Sequence, residues 1–162
     1  MTDQHWRAIE SGLVKVGERM LALLPAERVA ALCEEAIIDL DTADVQVYGL
    51  TKDNIAYNHQ GQRVGRPHVA GWAETPTVLA ADLGCGLDDP RATVEDLLQR
   101  ALAGPAPPTR PRGHAGAVPA PVLDGRVENI LCDSKHGAAL RHLPSGNEQV
   151  NNAWMWGALP AP

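Results

Sequence analysis

The chain has 162 residues, enough for one domain with a core of its own. Its 14 Lys and Arg against 20 Asp and Glu give a formal charge of −6, the wrong sign for a free-standing nucleic-acid binder that relies on phosphate contacts. No apolar run is long enough to span a membrane, and the start, with Asp3 and Glu10, has no apolar stretch of the secretory kind. Phe is absent, so the core must rest on Leu, Val, Ile and Ala. Cys33, Cys85 and Cys132 are odd in number, far apart and without a CxxC pair, which fits free thiols in a reducing, cytoplasmic compartment.

Residues 3–33 read as helical. Trp6, Ile9, Leu13, Val16, Met20, Leu23 and Leu24 recur at three- and four-residue steps, an amphipathic stripe. Pro25 should interrupt it, with a second short helix over 26–33, because proline is tolerated in a first turn. No chemistry-bearing group breaks the stripe, so the segment reads as packing.

The next stretch, 36–49, carries Ile37, Ile38, Leu40, Val45, Val47 and Tyr48 and is a strand by its apolar and β-branched content. Asp39 and Asp41 are two apart, so on an extended chain their carboxylates leave the same face. Asp44 follows after a break in the pattern. Acids in an apolar strand are costly to bury unless neutralised, and a divalent cation is one way to do so. The other is exposure: Asp39 and Asp44 on the solvent side of an edge strand, Asp41 capping a turn. The residues alone leave both open.

Residues 50–54, with Lys52, suggest a turn, and 55–58 a short strand. The run 60–68 then gathers Gly61, Arg63, Gly65, Arg66 and His68. Glycines allow close backbone approach, and arginines match phosphate oxygens through their fork. Such a loop either contacts a phosphate backbone or is a turn whose arginines offset Asp53 and Glu74. Two apolar runs, 69–75 and 77–83, flank Pro76 as a hairpin. A loop with Gly84, Gly86, Asp88 and Asp89 follows. From Arg91 the residues Val94, Leu97, Leu98, Ala101 and Leu102 repeat helically, with Gly104 as the stop. Residues 104–125 hold six prolines, too many for a central strand. Beyond them lie a possible strand over 127–131, a possible helix over 135–143, and a loose tail or apolar contact over 151–162 with Trp154 and Trp156. No HExxH spacing, Walker loop or Gly-x-Ser-x-Gly elbow occurs, and Cys85 has no base beside it in sequence.

Three blocks in order carry a resemblance: DLDTADVQVYG at 39–49, AYNHQGQRVGRPHVAGWAE at 56–74 and VLAADLGCGLDDPR at 78–91. Together they resemble the first catalytic block of the insertion-sequence DDE transposases, over roughly residues 7–103. The resemblance implies an α/β, RNase H-like fold, here partial: a helical lead-in over 1–35, a three-stranded sheet with a packed helix over 36–104, an irregular segment over 105–126 and a degenerate remnant over 127–162. It implies two-metal cleavage and joining of DNA, with Mg2+ or Mn2+ as the ions and transposon ends or the full-length transposase as partners. Asp41 would be the first catalytic acid and a metal ligand, Asp39 an auxiliary ligand, and Arg63, Arg66 and Lys52 the contacts to nucleic acid. The chain departs from the pattern at Ala43, where the family has Thr. Where the family has its second acid in an Ala-Asp-Ala-Gly-like turn, the chain has Gly113-His114-Ala115-Gly116. No counterpart of the third acid occurs. The expectation is therefore an inactive, truncated fragment, or else a non-enzymatic remnant that binds DNA or the parent transposase.

Overall fold

The apolar stripe at the start folds into α1 (Asp3–Leu21), and α2 (Ala26–Glu34) follows. Pro25 separates them as expected: its carbonyl accepts the N–H groups of Arg28 and Val29 at 2.9 and 3.1 Å, which opens α2 without needing a proline N–H. The structure, a computed structural model, describes residues 3–34, 36–75, 77–104, 131–133, 136–137 and 140–159. The His114 turn, the proline-rich run from 105 and the start of the 127–131 segment lie outside them.

Five strands form one open antiparallel sheet: β1 (Ile38–Thr42), β2 (Val45–Gln46), β3 (Ala56–Tyr57), β4 (Arg63–Trp72) and β5 (Thr77–Cys85). All pair with β4. Along one edge of β4 lie β1, with Ile38 opposite Trp72 and Thr42 opposite His68, and then β2, with Val45 opposite Gly65. The other edge carries β5 and, past its end, β3.

Two expectations are corrected here. The 60–68 segment is not a loop throughout, because Arg63–His68 is the first half of the central strand. The acidic stretch is not one strand but two, interrupted at Ala43 and Asp44. These corrections share a cause. Pro67 has no N–H for the ladder and is tolerated inside a sheet only at an edge or irregularity. It stands opposite that interruption, where its carbonyl still accepts the N–H of Ala43 at 3.1 Å.

Alternation along the strands separates two cores. Val69 and Ala81 belong to a cluster completed by Met155, Trp156 and Leu159, with Ile9 and Leu13 of α1 against it. Ala70, Trp72 and Ala80 belong to the opposite cluster, with Leu32 of α2 and Leu97 and Ala101 of α3 (Val94–Leu102). A register shift between Ala70 and Gly71 inserts Leu79 as an extra residue in β5. The bulge lets Leu79 and Ala80 both join the α3 side, while Val78 packs on the other.

The expected loose tail is a helix, α4 (Glu148–Ala158), and part of the core. Asn147 caps it by accepting the Val150 N–H at 3.2 Å. Met155, Trp156 and Leu159 are at most 2% exposed, so this helix closes one face of the sheet. Within its first turns the fully buried Asn151 exchanges hydrogen bonds of 3.0 Å with the backbone of Ser145, just before the helix. Residues 131–133 are helical, so Leu131 does not end a strand. Leu140 and Leu143, expected in a helix, sit in a turn and in irregular chain respectively, and both are fully buried. No helix among the described residues is long and apolar enough to cross a membrane.

Candidate functional site

β1 places Asp39 opposite Gly71 and Asp41 opposite Val69, so both carboxylates leave the same face, as their spacing requires. Both are half-buried. Asp41 Oδ1 accepts the N–H of Thr42 at 2.7 Å, a bond that fixes the carboxylate to its own strand. The Mg2+ or Mn2+ pair implied by the resemblance needs carboxylates converging from separate parts of the chain. Among the described residues no group of three or more His, Cys, Asp or Glu is placed to hold a metal ion. Asp39 and Asp41 together are short of such a set, so the described residues do not fit a two-ion centre.

The third acid of the stretch, Asp44, has a different role. Sitting at the break between β1 and β2, it accepts from Arg66 Nε and from Asn58 Nδ2, each at 2.8 Å. Asn58 Oδ1 in turn accepts the N–H groups of Gln60 and Gln62 and shapes the β3–β4 turn. Arg66 also donates to the Asp88 carbonyl at 3.1 Å, and its bond to Asp44 holds the guanidinium firmly charged. The other cations nominated for nucleic acid are engaged as well. Arg63 donates to the Leu50 carbonyl at 3.3 Å, and Lys52 donates to the carbonyl of Leu143. Lys52 thus ties the loop after β2 to the segment before α4.

A second set of charged groups lies on the α3 side. Thr42, His68 and Asp82 are aligned across β1, β4 and β5. Asp82 accepts from Arg100 of α3, which also donates to Glu10 of α1 at 2.7 Å and to Asp96 at 2.9 Å. The Arg100 side chain is 14% exposed and Glu10 only 10%, so one buried guanidinium joins α1, β5 and α3. Burial pushes both Glu10 and Asp82 above the usual carboxylate range. His68 is pushed the other way, toward its neutral form, also by burial.

Beside this cluster is a cavity of about 380 Å³ walled by His68, Asp82, Thr93 and Asn152 together with Arg66 and Glu148. Residue patterns did not reveal it. By sequence His68 belongs to a Gly- and Arg-rich run and Asn152 to the C-terminal segment, and nothing in the spacing of 68, 82, 93 and 152 says that they meet. No protein-family model, curated protein or solved structure matches the chain.

Proposed function

We propose that this chain is a non-catalytic fragment of an insertion-sequence DDE transposase, holding the first part of an RNase H-like domain. The parental chemistry is metal-dependent DNA cleavage and strand transfer. The observation that carries this reading is the setting of Asp41. It lies in the first strand of an antiparallel meander, β1–β4–β5, followed by a helix packed on one face. Among the described residues the far edge of β1 carries no partner strand, which leaves room for the strand that bears the second acid in such domains. His114 in the place of that acid supports the lack of activity.

In this reading Asp41 is the retained first acid, Asp39 its neighbour, and Mg2+ or Mn2+ the ions of the parent. Of the two partners implied, the full-length transposase is favoured over DNA. The net charge is −6, and Arg63, Arg66 and Lys52 each donate to acceptors within the fold. The test is nicking of supercoiled plasmid with Mg2+ or Mn2+, comparing wild type with Asp41→Ala. No nicking is expected from either. Nicking that depends on Asp41 would show that other acids complete the centre and would end the non-catalytic reading. Mn2+ titration followed by electron paramagnetic resonance examines the acid itself: equal binding by wild type and Asp41→Ala removes Asp41 from any metal role.

A further inference from the structure

A second cavity, of about 360 Å³, lies between α1, Thr75 and the start of β5, on the face of the sheet that α4 closes. Its walls are mostly aliphatic, Leu13, Val16, Met20 and Val78 among them. Only Thr75, Thr77 and Trp156 bring a side-chain nitrogen or oxygen, and among the described residues no charged side chain borders it. Two of those polar atoms are left over by the fold. Trp156 is 2% exposed and Thr75 9%, yet neither the indole Nε1 nor the Thr75 Oγ1 has a hydrogen-bond partner among the described residues. Other polar side chains buried to a similar degree are paired: Asn151 with Ser145, and Asn58 with Asp44.

A buried N–H without a partner is costly, and native folds keep few of them. An indole N–H donates only, so the partner it lacks is an acceptor. The aliphatic walls have none to offer. Surroundings without a cation penalise a buried anion, so that acceptor is a neutral oxygen rather than a carboxylate or a phosphate. The walls themselves call for hydrocarbon around it. The volume lies at the small end of ligand pockets, which suits a compact molecule better than a lipid chain or a nucleotide.

We propose that this cavity binds a small, neutral, largely apolar molecule with a carbonyl oxygen, which accepts the hydrogen bond of Trp156 Nε1. The site stands apart from the transposase reading, since none of the acids of β1 borders it. Three probes of nearly equal size test it on the full chain: acetophenone, the hydrocarbon α-methylstyrene with CH2 in place of the carbonyl oxygen, and benzoate. The readout is the indole N–H signal of Trp156 in 1H–15N spectra. The chain has four tryptophans, and the signal in question is the one missing from Trp156→Phe. Acetophenone should move that proton downfield to saturation, and α-methylstyrene should not. Benzoate should bind about tenfold more weakly than acetophenone, or worse. In Trp156→Phe, calorimetry should show acetophenone weakened about fivefold, the loss of one neutral hydrogen bond, with α-methylstyrene held to within about twofold. Should that variant fail to fold, the ketone and hydrocarbon arms on the wild-type protein still decide. An indole proton already at its hydrogen-bonded position in the free protein would overturn the proposal. So would benzoate binding as tight as that of the ketone, or full acetophenone binding by Trp156→Phe. Movement of the same proton with protein concentration alone would give the cavity to a second copy of the chain and overturn it too.

Discussion

Replacing Arg100 with Met should be among the most damaging single changes in this protein. The guanidinium holds Glu10, Asp82 and Asp96 at once, and the Arg100 and Glu10 side chains are 14% and 10% exposed. Methionine fills much of the space of the arginine stem but leaves Glu10 and Asp82 facing each other without the cation they share, with Arg7 a lesser influence on Glu10. Removing one partner of a buried ion pair costs about 3–5 kcal/mol. Asp82 is 28% exposed and borders the cavity, so water recovers part of its solvation and the lower figure, about 3 kcal/mol, is the better expectation. For a chain of this length that lowers Tm by about 6–12 °C. The sign of the pH dependence follows from Glu10 and Asp82, both raised chiefly by burial. A carboxylate with a raised folded pKa binds its proton more tightly folded than unfolded. Its contribution to stability is greatest below the unfolded value and is lost as pH rises through the folded one. With Arg100 gone the raising is stronger, so the deficit at about pH 7.5 should shrink by about 1 kcal/mol or more at about pH 5. Urea unfolding followed by tryptophan fluorescence measures this, since Trp72 and Trp156 are both buried and report on opposite faces of the sheet. Adding Glu10→Gln to Arg100→Met should return part of the loss at neutral pH. A deficit below about 1 kcal/mol, or one indifferent to pH, would refute the view that this cluster is a buried charge compensation rather than a solvated surface pair.

Trp156→Ala should cost about 3–5 kcal/mol in the same unfolding assay, because the ring is 2% exposed within the cluster that closes one face of the sheet. A change of under about 1 kcal/mol would return the C-terminal segment to the status of a loose tail. Gly86→Ala and Gly12→Ala make an opposed pair. A Cβ on Gly86 would meet Val64 Cγ2 at 2.7 Å and the Ala56 carbonyl oxygen at 2.9 Å, so a loss of about 1–3 kcal/mol is expected. A Cβ on Gly12 meets nothing within 4 Å in the middle of α1, and a gain of about 0.5–1 kcal/mol in thermal unfolding is expected.

Elements whose partner is the core in general were legible from spacing alone. The stripe from Ile9 to Met20 and the break at Pro25 determine α1 and α2, and the hairpin of β4 and β5 follows from apolar runs either side of residue 76. The i, i+2 spacing of Asp39 and Asp41 required a shared face on any extended chain, and β1 supplies it. What spacing could not determine were outcomes that depend on a particular distant partner. Pro67 reads as a strand breaker until the interruption between β1 and β2 is seen to lie opposite it. The 148–158 segment has few strong apolar residues and a glycine near its end. Its helix became legible only through the sheet face that buries Met155, Trp156 and Leu159, although the Asn147 cap was a local signal that could have been read. The meeting of His68, Asp82, Thr93 and Asn152 belongs wholly to the tertiary structure. A side-chain constellation assembled from two strands, a turn and the last helix has no period along the chain, because only the packing of those elements sets the distances between its members.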